Sequence, residues 1–220
     1  MPHTLLLLVT LVAFAAGPAS TDVKTLHVAG QPDIEWSVPY TLGTHRGTAG
    51  PLTVDARSNA AGTELTSLVL RIPIESLRSG NAKRDCHLKE ALGLDYSVSR
   101  YPKAHVCDGQ EEIPSTGPDR VAFPAIVFEM NSALAPLRYV LPAAGQKSEI
   151  EIPGTWTIHG VSKTARVKAT LSADGANPPV IRVKGEHTLS LADFGVVVKP
   201  LLMVKVDDRV DVKFSFAVSP

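Results

Sequence analysis

The sequence predicts an all-β domain of antiparallel strands, closed as a barrel or packed as a sandwich. Three observations carry that prediction. Apolar residues recur with period two along much of the chain, the mark of strands with one apolar and one wetted face. Seventeen Pro and sixteen Gly spread over 220 residues argue against long helices and coiled coils. With 44% hydrophobic and 20% charged residues, the chain is too apolar to stay disordered. A chain of about 200 residues buries roughly 70% of its unfolded surface, enough for one full core.

The chain opens with Leu5–Ala16 (LLLLVTLVAFAA), an uncharged apolar run followed by Gly17, Pro18, Ala19 and Ser20. Gly17 and Ala19 satisfy the small-x-small rule for cleavage. Residues 1–19 therefore read as a signal peptide and residues 20–220 as one exported domain, although Met1-Pro2-His3-Thr4 lacks Lys or Arg. The alternative, a membrane anchor, needs about 20 apolar residues, and no Cys follows the run to carry a lipid.

Ile34, Trp36, Val38 and Tyr40 then alternate with Glu35, Ser37 and Pro39 as the first clear strand. A strand near 51–55 follows the glycines of 43–50 (GTHRGTAG), which permit a sharp bend or bulge. Leu68, Leu70, Ile72 and Ile74 repeat the alternation. Arg84–Leu94 (RDCHLKEALGL) breaks it, with Leu88, Ala91 and Leu92 at helical spacing and Asp85 placed to cap the start. Residues 95–120 are polar and turn-rich, a long surface excursion. Strands resume near 123–130 and 149–158, then with Ala165, Val167, Ala169 and Leu171, then near 180–191 and 196–205. The last is the plainest: Val210, Val212, Phe214, Phe216 and Val218 alternate with polar neighbours. Cys86 lies in the helical segment and Cys107 within the excursion. In an oxidising compartment they can close a disulfide worth about 3 kcal/mol and tie the excursion to the helix; two buried thiols are the alternative.

Composition narrows the function. The 22 Lys+Arg balance the 22 Asp+Glu, so the basic excess of a nucleic-acid binder is missing. The seven His show no His-x-His or HExxH spacing, so no metal is expected. Asp85 with Glu90, or Asp207 with Asp208, could be offered as acid–base carboxylates, but adjacent aspartates point to opposite faces and fit a solvated turn. Ser162 and Ser190 lack a nucleophile-elbow setting. No catalytic constellation or cofactor motif emerges, and the chain reads as a non-enzyme. A closed sheet with an apolar interior can hold an apolar ligand. Two Trp, four Tyr and six Phe are few for filling a barrel, and small inward candidates such as Ala125, Ala165 and Ala169 point the same way. Burying about ten methylenes yields ~8 kcal/mol gross, a micromolar scale before entropy costs. A solid core is the alternative.

Three motifs resemble a known family. Gly80-Asn81-Ala82-Lys83-Arg84-Asp85-Cys86-His87-Leu88, Phe123-Pro124-Ala125-Ile126-Val127-Phe128-Glu129 and Gly154-Thr155-Trp156-Thr157-Ile158-His159-Gly160-Val161-Ser162-Lys163 are similar to segments of the YceI-like, lipocalin-like polyisoprenoid-binding family. Ala192–Val196 and Val206–Val210 fit its end, and the resemblance spans about residues 33–218. In that family the helix runs almost directly into the Pro-containing strand. Here residues 94–120 intervene as a loop insertion, Tyr101-Pro102 competes for the strand's place, and Trp156 replaces the usual Leu.

The resemblance implies an antiparallel lipocalin-like barrel of about eight strands with one short helix, periplasmic or secreted, holding an isoprenoid-type lipid. It also implies a polar cluster of Arg84, Asp85 and His87 beside the barrel mouth. Strand alternation nominates the lining: Trp36, Val38, Leu70, Ile72, Val127, Trp156, Ile158, Val167, Phe214 and Phe216. The rival readings are an interaction module with a filled core, presenting residues 95–120 to a protein partner, and a secreted hydrolase using Asp85 and His87.

Overall fold

The computed structural model describes residues 23–109, 111–131, 139–176, 179–199 and 205–219. The leader assigned to residues 1–19 lies outside them. In chain order the strands are β1 (Val23–Tyr40), β2 (Gly43–Ala49), β3 (Thr53–Asn59) and β4 (Glu64–Pro73). A 3-10 turn at Ile74–Ser76 leads to the helix α1 (Ala82–Gly93). Then come β5 (Ala125–Met130), β6 (Tyr139–Val140), β7 (Lys147–Ile158), β8 (Val161–Ala173), β9 (Ile181–Ser190), a 3-10 turn at Leu191–Phe194, and β10 (Arg209–Ser219).

Every pairing is antiparallel. The order β1-β3-β4-β5-β7-β8-β9-β10 returns to β1 through β10, closing an eight-stranded barrel. β2 and β3 act as one bent strand along β1: β2 faces Ile34–Tyr40, β3 faces Val23–Leu26, and the break falls at residues 50–52. That is where the glycine-rich segment ends, as the sequence suggested. β6 adds a short pairing to the edge of β4.

Period two sorts the side chains. Ile34, Trp36, Val38, Leu68, Leu70, Ile72, Trp156, Ile158, Val167, Val212, Phe214 and Phe216 are all buried. The opposite faces carry charge, and their register alternates in sign across five strands. Glu35 lies opposite Lys213, Lys213 opposite Glu186, Glu186 opposite Lys168, and Lys168 opposite Glu151. Each such cross-strand pair contributes roughly 0.2–1 kcal/mol. A shallow groove of about 810 Å³ on the outer wall runs over these charges.

Close approach explains why β9 carries a glycine mid-strand. Gly185 pairs with Phe214, whose ring lies across it; a Cβ there would stand 2.1 Å from the ring. Gly185→Ala is therefore expected to lower stability by about 1–3 kcal/mol through overpacking, read as an earlier thermal melt. An unchanged melting temperature would contradict this packing.

The far end of the barrel is filled. Leu65, Leu68, Ile152, Leu171, Ile181 and Phe216 leave a void of only about 10 Å³. Branched aliphatic residues do what the scarce aromatics were not expected to do. Four further expectations change. Val127 stands on the outer face with Arg71 and Thr157, while Ile126 and Phe128 turn inward. Ala125 shares the outward parity, opposite Pro73. Asp85 is not the cap: α1 starts at Ala82, and the Asn81 side chain accepts from Arg84 N. Residues 196–199 form no strand, and 200–204 lie outside the described residues.

Candidate functional site at the barrel mouth

The helix and the excursion both sit at the end opposite the filled one. Asn81 fixes where α1 begins. Leu88 and Leu92 face the barrel and line its interior cavity. Asp85 turns away from the mouth, buried, and accepts hydrogen bonds from Ser79 N (2.7 Å) and Ser79 Oγ. Lys89 pairs with Glu75 (2.8 Å), joining α1 to the preceding turn.

The excursion leaves and returns at one point. Leu94 bridges Val121, and the Gly93 carbonyl accepts from Ala122 N (2.7 Å) and Phe123 N (2.9 Å). Helix and strand are thus joined as though residues 95–120 were spliced between them, and Phe123-Pro124, not Tyr101-Pro102, leads into β5.

The insertion is more than a surface loop. Tyr101, Val106 and Cys107 are fully buried. The Tyr101 hydroxyl donates to the Val197 carbonyl across the mouth, and the Tyr96 hydroxyl donates to the Ala91 carbonyl while accepting from Val197 N (3.2 Å). Burial raises the pKa of both phenols. Arg100 is held by Asp119 through its backbone N (2.8 Å) and its Nε (2.9 Å). The expected disulfide joins Cys86 to Cys107, with Cα atoms 6.1 Å apart.

Glu90, which the sequence offers only as half of a possible acid–base pair, ties these parts together. Its side chain is fully buried. Oε1 accepts from Val106 N and Cys107 N (2.9 Å), and Oε2 meets Nδ1 of His87 (2.8 Å) and of His105 (2.9 Å). Burial pushes its pKa up, but the bonds from His87, His105, Cys107 and Val106 outweigh burial and hold it at about 2. An ionised Glu90 fixes a proton on Nδ1 of each imidazole. The spacing of His87 and Glu90, three apart on a helix, was the available signal. Cys107 also lies in this cluster, but its sulfur is committed to the disulfide.

Of Arg84, Asp85 and His87, the first and last line the mouth together, and Asp85 does not join them. Asp85 serves the loop before the helix, and His87 also serves Glu90.

Two adjoining cavities complete the site. An inner void of about 70 Å³ is walled wholly by apolar side chains, among them Ile72, Ile126, Trp156 and Ile158. A larger mouth cavity of about 520 Å³ lies above it. Trp36, Val38, Leu88 and Leu191 border both. Trp36 is anchored by Nε1 donating to the Thr48 carbonyl (3.2 Å). The facing Gly47 makes room for its ring, since a Cβ there would lie 2.2 Å from it. Trp156 carries a buried Nε1–H with no partner among the described residues. Leu70, Val167 and Phe214 are buried in the core and line neither cavity, and Phe216 belongs to the filled end.

Comparison with known proteins agrees with this architecture. A family model described as YceI-like domain matches residues 29–218. Among solved structures, a polyisoprenoid binding domain from Saccharophagus degradans, implicated in plant cell wall breakdown, is 13% identical with TM-score 0.58, covering 89% of this chain and 97% of that one. BcnA of Burkholderia cenocepacia is 16% identical with TM-score 0.55, covering 84% and 95%. A Campylobacter jejuni YceI protein is 16% identical with TM-score 0.51, covering 80% and 85%. No curated protein sequence matches the chain.

Proposed function

The chain belongs to the YceI-like domain family, and on that premise we propose that it is an exported, non-enzymatic binder of an apolar, isoprenoid-type lipid. The observation that carries the reading is the pair of adjoining cavities, an apolar void and a wider mouth that share Trp36, Val38, Leu88 and Leu191 as walls. The apolar leader at residues 5–16 and the Cys86–Cys107 disulfide support export to a periplasmic or secreted location. The polyisoprenoid named for the Saccharophagus degradans domain makes that lipid class the first to try.

The test is mass spectrometry of the purified protein, native and after solvent extraction, followed by uptake of added polyprenol. A lipid at near-stoichiometric ratio, or saturable uptake, is expected. Leu88→Trp places a large ring where the cavities meet and should weaken uptake about tenfold or more while the protein stays folded. An empty wild type that also refuses added lipid would overturn the reading. The second reading, an interaction module with a solid core, rests on the filled far end of the barrel. On that reading the intact protein takes up no added lipid, and deleting residues 95–120 abolishes partner capture.

A further inference from the structure

The rim of the mouth differs in character from its walls. Lys83, Arg84 and Lys199 line it together with His45, His87 and His105. Among the described residues no carboxylate lines this cavity, and none stands within ion-pair distance of those three cations. The rim is assembled from separate elements: α1 brings Lys83 and Arg84, β2 brings His45, the excursion brings His105, and Lys199 follows the last 3-10 turn. Lys199 is steadied by donating from Nζ to the Lys103 carbonyl (3.2 Å). His45 stacks on Tyr40 at 3.9 Å, and its pKa is lowered by burial and then by the nearby Arg84 charge. Glu90 engages His87 and His105 from behind through Nδ1, leaving each ring its Nε2.

A neutral isoprenoid gives these charges nothing to bind. Three cations gathered over an apolar cavity, in a chain whose formal net charge is zero, form a local positive field that complements an anion. We infer that the mouth selects an amphiphile with an acidic head group, phosphate or carboxylate, held by Lys83, Arg84 and Lys199 while its chain enters the apolar cavity. This rests on the reading of the barrel as a lipid binder and adds a head-group requirement to it.

The experiment measures affinity of the full protein for farnesyl phosphate against farnesol, and for hexadecanoate against hexadecanol, in low and high salt. Each acid is expected to bind about ten- to a hundredfold more tightly than its alcohol, with the gap narrowing as salt rises. The preferred acid tells a phosphate head from a carboxylate. In the triple variant Lys83→Gln, Arg84→Gln, Lys199→Gln, the acid-to-alcohol ratio should collapse towards unity. Should that variant melt early, Lys83→Gln alone, at an exposed position, should lower the ratio in part. Equal binding of acid and alcohol by the wild type would overturn the head-group assignment and leave the lipid binder standing. A preference that survives the triple variant would overturn the role of these residues. Failure of all four probes to bind would remove the lipid reading itself, and this inference with it.

Discussion

Glu90→Leu is expected to cost about 4 kcal/mol and lower the melting temperature by roughly 8–16 °C. The carboxylate is the acceptor for two buried backbone N–H groups, Val106 and Cys107, and for two imidazoles. A leucine of similar size leaves all four without a partner. Glu90→Gln is the informative companion. Its amide oxygen can still accept from the two backbone groups, and its NH₂ can donate to both imidazoles once they move their proton to Nε2. It should therefore retain most of the stability.

The two variants also separate packing from charge. A carboxyl held at about 2 when folded, against 4.5 unperturbed, stabilises the fold fully above pH 4.5. That contribution drains away as pH falls from 4.5 towards 2. Wild type should accordingly lose stability through this window more steeply than Glu90→Gln, in thermal melts at pH 7, 4.5 and 3. Parallel curves for the two proteins would show that the charge of Glu90 does not stabilise the fold.

Removing the disulfide with Cys86→Ala and Cys107→Ala should cost about 3 kcal/mol, the loop entropy released by a crosslink of this span. The sequence separation is 21 residues. The damage should be local, with limited proteolysis cutting within residues 95–120 before the barrel. Because the Cys107 N–H also binds Glu90, the disulfide and the carboxylate hold the same turn. Combining Glu90→Leu with the double alanine should then cost less than the two separately, by about 0.5–3 kcal/mol. Additive losses would mean that each holds the excursion independently.

How much of this was legible depended on how many residues repeat a signal. The closing strand and the Ile34–Tyr40 segment advertise period two over several turns of the pattern, and their faces were assigned correctly. Ala125 to Phe128 is a run of four apolar residues with no polar alternate to choose a face, so the sequence points Val127 inward where the fold turns Ile126 and Phe128 in. The helix began earlier than expected because Ala82-Lys83 carries no apolar periodicity, and the capping signal lay in Asn81. The excursion was the least readable segment. It buries Tyr101 and the adjacent Val106 and Cys107 among polar, turn-forming residues, and such isolated anchors leave no period. Glu90 reads from the sequence only as half of a possible acid–base pair with Asp85. Its burial depends on a segment that comes to it from fifteen residues further along the chain. Of the mouth cations the resemblance pointed to Arg84 alone; Lys83 and Lys199 carried no signal, since Lys199 joins the same cavity only once the barrel closes.

The seam between β1 and β10 bears on the order of assembly. Asp33–Ser37 and His27–Ala29 find their partners in the final strand, Asp211–Ser219. Until that strand is in place the remaining seven make an open sheet with two bare edges, each a template for another chain. Contacts this distant in sequence place the molecule among slow folders. The lumen, its mouth and the cations around it are therefore enclosed only where this seam is closed, and a chain with the seam open offers no walled cavity for cargo.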